Sequence, residues 1–304
     1  MITDTVHKIL NNYDSETLGT KVNLARLLMA GKTGGTGKVI VYAVDQGFEH
    51  GPLQSFASNV DAHDPMYHFK FASEMGLSAL AGPLGFLEVG APRYAGSLPL
   101  ILKLNSSNNL VQTTSPDQAI TASIDDALRL GCGGVGFTFY PGSPASFSML
   151  EELREIIKEA KAKGLFVVVW SYPRGTISPQ GETGADVVAY GIHMACLMGA
   201  HIVKSKMPSA HIEKEKAAEA LKASTFKLDS LEDRLSYMVK AAFNGRRLVV
   251  FSGGTTRSEE ELITDTKCIA KVGAAGSMIG RNIFQRSYAA SKDLVNKLSQ
   301  IYTS

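Results

Sequence analysis

The sequence predicts an α/β fold, a (β/α)8 TIM barrel with an N-terminal helical extension. Three observations carry this expectation. Short apolar runs alternate with longer amphipathic stretches eight times from residue 39 onward, the alternation that builds a parallel sheet covered by helices. The fifth run, residues 165–172 (LFVVVWSY), is apolar on both faces, as a parallel strand covered on both sides must be. The first run lacks the glycine-rich fingerprint that usually follows the first strand of a doubly wound open sheet. A chain of 304 residues with 44% hydrophobic content can fill one large core, and no linker or shift of composition divides it. One domain, 1–304, is therefore expected: 1–38 as helix and connecting loop, 39–282 as the barrel, 283–304 as a closing helix.

Taken in order, residues 14–30 carry a helical stripe of Leu18, Val22, Leu24, Leu27 and Leu28. Residues 31–38 (GKTGGTGK) invite comparison with a phosphate loop. No Ser or Thr follows Lys38, the glycine spacing is wrong, and the stretch precedes a strand instead of following one. A flexible connecting loop is expected there. Strands are expected at 39–44, 78–81, 98–104, 134–140, 165–172, 201–207, 247–251 and 276–279. Between them come helices at 65–76, 120–131, 146–163, 184–199, 258–272 and 283–301, with more helix across 211–243. Residues 105–120 are polar and irregular and read as an excursion from the barrel.

Charge and cysteine usage narrow the function. Thirty-one basic and 29 acidic residues leave a formal charge of +2, which argues against nucleic acid or an anionic membrane as partner. No apolar run is long enough to span a bilayer, and residues 1–12 are too polar for a signal peptide. Cys132, Cys196 and Cys268 are far apart with no metal-type spacing, and Cys196 and Cys268 sit in helix-like segments. A reduced, cytoplasmic protein is expected.

In such barrels chemistry collects at the C-terminal ends of the strands. Asp45 closes the first expected strand, Tyr140 the fourth, Trp170 and Tyr172 the fifth, and Lys204 and Lys206 the sixth. The two lysines are two residues apart and so share one face of their strand, either a solvated face or a site. Singly, Asp45 could cap a turn and Trp170 could be core. Their shared rim favours a site. After the seventh strand, Ser252-Gly253-Gly254 offers bare backbone N–H groups before a helix whose N-terminus favours anions. After the eighth, Gly280-Arg281 adds a guanidinium suited to phosphate. These two strand ends are the recurrent phosphate site of such barrels. A lysine beside them is suited to Schiff-base chemistry if burial and a neighbouring cation keep it uncharged, a role open to Lys206 or Arg174. Tyr172 and Asp45 are candidates for moving protons. Histidines are isolated, with His50 alone near a strand end, so neither a metal nor another cofactor is expected.

Five motifs, Asp45-Gln-Gly-Phe-Glu-His-Gly-Pro52, Trp170-Ser-Tyr-Pro-Arg-Gly175, Ile202-Val-Lys-Ser-Lys206, Ser252-Gly-Gly254 and Gly280-Arg-Asn282, stand in this order. Together they resemble class I fructose-bisphosphate aldolases of the archaeal and bacterial type, over residues 39–290. The resemblance implies that Lys204 forms an iminium with the C2 carbonyl of a ketose, that Tyr172 transfers protons, and that Asp45 assists the carbinolamine and iminium steps. It casts Trp170 as an aromatic shaping the pocket. Arg174 and Lys206 become contacts for one phosphate or nearby hydroxyls, and Ser252, Gly253, Gly254, Gly280 and Arg281 a cradle for the other. It further implies a sugar phosphate substrate, metal-independent cleavage of fructose 1,6-bisphosphate, and a homo-oligomer, often of ten subunits. The chain departs from the pattern at Gln46, in the substrate pocket, where many relatives have His. It departs again at His201, expected to face away from the cavity, where an acidic residue is common. A related lysine-dependent aldolase or transaldolase-like enzyme acting on another phosphorylated ketose, and a barrel that binds a sugar phosphate without turnover, are the competing expectations.

Overall fold

Eight parallel strands close into a barrel in the computed structural model, which describes every residue except Gln112, Gly253, Thr255 and Thr256. They are β1 (Val39–Ala43), β2 (Ala79–Gly82), β3 (Leu100–Lys103), β4 (Gly134–Phe139), β5 (Phe166–Ser171), β6 (Ile202–Lys206), β7 (Leu248–Ser252) and β8 (Gly276–Ile279). Each pairs with its sequence neighbour, and β8 returns to β1 through Val39 opposite Gly276. All eight lie within two residues of their expected limits. The excursion is present too, pinned by a short antiparallel ladder between Asn105–Ser106 and Ala119–Ile120.

Differences from expectation lie at helix ends, where a cap overrides hydrophobic pattern. Thr17 accepts from the Thr20 amide and starts the first long helix at Leu18, not at residue 14. Ser123 and Asp126 form a capping box, so the helix expected from residue 120 begins at Ile124. The expected helical stretch 211–243 is two helices, Glu215–Ala223 and Leu231–Ala241, the second begun by a box between Ser230 and Asp233. Asp45 leads straight into a short helix, Gln46–His50, where an open loop was expected. A helix at Asp4–Leu10 was not anticipated.

Strand alternation divides the apolar residues into two cores. Phe166, Val168 and Trp170 face the barrel interior, whereas Val167 and Val169 pack under the helices. The interior core ends at the bottom of the barrel in a plug: Val6, Leu10, Tyr13, Leu24, Leu27 and Leu28 from the N-terminal helices. The Tyr13 hydroxyl donates to the His201 carbonyl at 2.7 Å, and the two rings stack at 5.8 Å. His201 is buried there, its Nδ1 accepting from the Val167 amide at 2.9 Å and its Nε2 3.4 Å from Glu16. It belongs to the plug, at the opposite end from the strand-end residues. The glycine-rich stretch 31–38 also serves the plug, and is fixed, not loose: Gly35 N–H donates to Leu28 O and Lys38 Nζ to Ala274 O. With the bottom filled, the strand tops are the open end of the barrel.

A buried histidine in the outer core gives the fold a pH dependence. His68 is fully buried, its Nδ1 accepting from the Tyr42 hydroxyl and its Nε2–H donating to Ala62 O, both at 2.8 Å. Burial lowers its pKa to about 4. The unfolded chain therefore takes up a proton near pH 6.5 that the folded chain refuses. The resulting stabilisation is complete above pH 6.5 and lost as pH falls towards 4, up to about 3 kcal/mol. Urea unfolding at pH 7 and at pH 4.5 checks this: wild type is expected to lose about 2 kcal/mol more than His68→Gln.

Candidate active site

The strand tops supply every side chain in question. Lys204 is the last inward residue fully below the rim of β6, 3% exposed, paired in register with Trp170 on β5 and Val250 on β7. Its Nζ lies 5.1 Å from the Trp170 ring centroid and 5.7 Å from that of Tyr172. It has no hydrogen-bond acceptor among the described residues. Burial lowers its pKa; the Asp45 and Glu49 carboxylates oppose that shift, and the Arg281 guanidinium adds to it. Room for the indole of Trp170 comes from the next strand, because a Cβ on Gly136 would stand 2.2 Å from it. Trp170 thus forms a floor under the amine and does not line the open cleft, and its Nε1 is buried without a partner.

Above that floor a cleft of about 90 Å³ is walled by Asp45, Gln46, Tyr172, Arg174, Lys204, Lys206, Ser252, Gly254, Gly280 and Arg281. The structure therefore gathers the sequence candidates at one mouth, Trp170 just beneath it, while Gly253 lies outside the described residues. Several polar atoms there are buried and unpartnered among the described residues: Asp45 Oδ1, Gln46 Oε1 and Arg174 Nε. Such atoms normally find partners, so a polar ligand is the natural complement of this cleft. Tyr172 is held against the Ser252 hydroxyl, and burial raises its pKa well above that of an ordinary phenol. It keeps its proton at neutral pH. Arg174 lies with its guanidinium 5.2 Å over the Tyr140 ring.

Two expectations need correction. Lys206 is not the charge that acts on Lys204: it lines the cleft but is tied to Glu182 Oε2 at 2.7 Å, and the cation that acts on Lys204 is Arg281. Nor does the helix after β7 present its N-terminus to the cleft. It begins only at Glu259, is capped by Ser258, and carries Glu259, Glu260 and Glu261 in its first turn. Those carboxylates already answer the helix dipole. At these two strand ends the cleft is lined instead by the Ser252 hydroxyl, the bare backbone at Gly254 and Gly280, and Arg281, whose Nη2 donates to Gly254 O at 2.9 Å and joins the two loops.

Sequence reasoning missed two charged residues. Glu49, on the helix after β1, lines both the cleft and a second chamber of about 740 Å³ built by the 106–119 excursion, with His50 and Arg174 also shared. Lys103, the last residue of β3, is 1% exposed and points inward beside Trp170. A lysine inside the apolar run Leu100-Ile-Leu-Lys-Leu104 carried the same signal that singled out Lys204. Among the described residues no cluster of three His, Cys, Asp or Glu side chains has the geometry to hold a metal ion.

A parallel barrel whose mouth holds a buried lysine with no acceptor among the described residues, beside a tyrosine and an arginine, has the make-up of an enzyme that works on carbonyl compounds through a lysine. Residues 39–286 match the DeoC/LacD family aldolases, and the chain belongs to that family. It is 36% identical over 251 residues to the class 1 fructose-bisphosphate aldolase of Thermoproteus tenax, covering 82% of this chain and 84% of that one. With the enzyme of the same name from Halobacterium salinarum it shares 33% identity over 255 residues, 84% of this chain and 87% of the relative. It also superimposes, with a TM-score of 0.74 and 32% identity, on an archaeal fructose-1,6-bisphosphate aldolase whose catalytic lysine is covalently bound to the carbinolamine intermediate of its substrate. That match covers 88% of this chain and 95% of the other.

The closeness of β1 and β8 at the cradle is testable. A Cβ on Gly280 would lie 2.4 Å from Ala43 O and about 3.0 Å from the Gln46 amide. Gly280→Ala is expected to cost about 1–3 kcal/mol, and inorganic phosphate, expected to raise the melting temperature of the wild type, is expected not to raise that of the variant.

Proposed function

We propose that this chain is a class I, Schiff-base fructose-1,6-bisphosphate aldolase. It cleaves fructose 1,6-bisphosphate reversibly, without a metal, to dihydroxyacetone phosphate and glyceraldehyde 3-phosphate, as glycolysis and gluconeogenesis require. The observation that carries this reading is the buried Lys204 amine with no acceptor, facing the same small cleft as the Arg281 cradle.

An uncharged Lys204 attacks the C2 carbonyl to give a carbinolamine. Tyr172, which keeps its proton at neutral pH, donates it to the departing hydroxyl, and water leaves as the iminium forms. The C4 hydroxyl then gives its proton to the Tyr172 phenolate left by that step, the C3–C4 electron pair moves into the iminium, and the aldehyde departs. The resulting enamine is protonated at C3, and hydrolysis returns the amine and the second product. Asp45, with one carboxyl oxygen unpartnered, is positioned to take and return protons in the carbinolamine and iminium steps. Ser252, Gly253, Gly254, Gly280 and Arg281 hold one phosphate, Arg174 and Lys206 the other or nearby hydroxyls, with Gln46 beside them; Lys206 must first leave Glu182.

We read the chain as a single domain. The unpaired cysteines support a reducing, cytoplasmic location. Exposed apolar side chains such as Leu53, Val60, Phe147 and Leu197 support assembly into a homo-oligomer. A second reading, a lysine-dependent aldolase for another phosphorylated ketose, draws on the chamber of about 740 Å³ beside the cleft, and relative turnover of six- and seven-carbon sugar phosphates ranks the two.

Borohydride added during turnover of fructose 1,6-bisphosphate is expected to leave the substrate carbon skeleton on Lys204, found by peptide mapping. Lys204→Met is expected to lose at least about 10³-fold in kcat, while a chelator leaves the wild type unaffected. A fully active Lys204→Met enzyme would overturn the reading.

A further inference from the structure

The segments after β7 and β8 meet at more than the contact between Arg281 and Gly254, and a residue that does not line the cleft makes much of the join. Arg286 follows the short helix Arg281–Phe284. Its Nε donates to Asn282 O at 2.8 Å and its Nη2 to Arg257 O at 2.6 Å. The Arg257 backbone N–H in turn donates to Asn282 Oδ1 at 2.8 Å. Both main-chain polar groups of residue 257 are thus held by the segment after β8. The base of this strap is anchored as well. Asn59 Nδ2 donates to Phe284 O at 2.9 Å and to Arg286 O at 3.2 Å, and Gln285 Nε2 donates to Ser55 O at 3.0 Å. The Ser55 hydroxyl donates to Gln46 O at 3.0 Å, which ties the strap to the end of β1.

An arginine just past a helix often caps that helix by binding its last carbonyls. This accounts for the bond to Asn282 O, four residues back. It does not account for the bond to Arg257 O, which comes from the loop on the other side of the mouth. We propose that Arg286 is a positioning residue for the phosphate of the substrate. It fixes the spacing between the backbone at Gly254 and that at Gly280, two glycines that line the cleft with nothing but main chain. An oxyanion is held well only by donors at hydrogen-bond distance and in line. Loops that are free to part must be ordered when the anion binds, and affinity falls by that cost. Lys204 stands on β6 and Tyr172 directly after β5, outside the strapped segments. The consequence therefore falls on binding of the phosphate and not on the bond-breaking steps.

This inference rests on the aldolase reading, and two measurements on the same variants separate the two. Initial rates of fructose 1,6-bisphosphate cleavage give kcat and KM, and calorimetric titration with inorganic phosphate gives a Kd that needs no turnover. Arg286→Ala is expected to raise KM and the phosphate Kd about tenfold each, with kcat within about twofold of wild type. Arg286→Lys keeps the charge but spans only one of the two carbonyls, and its losses are expected to be about threefold. It serves if Arg286→Ala does not fold. Unchanged KM and Kd in Arg286→Ala, or in Arg286→Lys where the alanine variant fails to fold, overturn the inference and leave the aldolase reading standing. A lower melting temperature with both constants unchanged, the mark of a merely structural strap, overturns it too, as does a loss confined to kcat. A wild type that binds phosphate but cleaves nothing overturns the aldolase reading, and the phosphate Kd of the variants then decides the inference. A wild type that does neither overturns both.

Discussion

The rest of the site depends on keeping one amine dry. In water a lysine holds its proton almost completely at pH 7 and is no nucleophile. For Lys204 the balance shifts towards the neutral amine, because β6 carries it inside the barrel, above Trp170 and beside Tyr172, where the charged form loses its hydration and finds no acceptor among the described residues. The position is costly to the fold, and the barrel tolerates it because the strands around it are locked by a continuous ladder and by the indole that Gly136 admits.

The two ends of the barrel divide the labour. Below, the N-terminal helices fill the interior with aliphatic side chains and with Tyr13, which joins β6 to β7 by donating to His201 O and accepting from the Leu248 amide. This plug fixes the register of the strand that bears Lys204. Above, the inward positions switch from apolar to polar within one step of the pleat: Ala43 to Asp45 on β1, Ile101 to Lys103 on β3, Ile202 to Lys204 on β6, Val250 to Ser252 on β7. A step of two residues along a strand is the whole distance from core to chemistry.

That same step explains what the sequence made legible. Strands of period two between helices are visible in composition, and every barrel strand was found, because core burial and strand pattern agree. Helix starts were placed less well, since Ser123 or Thr17 decides them by one side-chain hydrogen bond that a hydrophobic stripe does not reveal. The Asp4–Leu10 helix was hidden because its polar face dominates a seven-residue segment with only Val6 and Leu10 buried. Among site residues, those at strand ends were readable from alternation. Glu49 was not, because it projects from a helix that the sequence presents as an open loop.

Lys103 and Lys206 show the limit most clearly. Both are lysines at the last residue of an inward-facing strand, and sequence spacing to Lys204 favours Lys206, two residues away. Distance along a chain is a poor guide inside a closed barrel, where neighbours lie across the ring. Lys206 stands one step nearer the rim, and Glu182, from the segment after β5, reaches it there. Lys103 comes from a strand about a hundred residues earlier and meets the same indole as Lys204. The charge that matters to a buried amine is the one sharing its dry environment, since screening by solvent weakens the other.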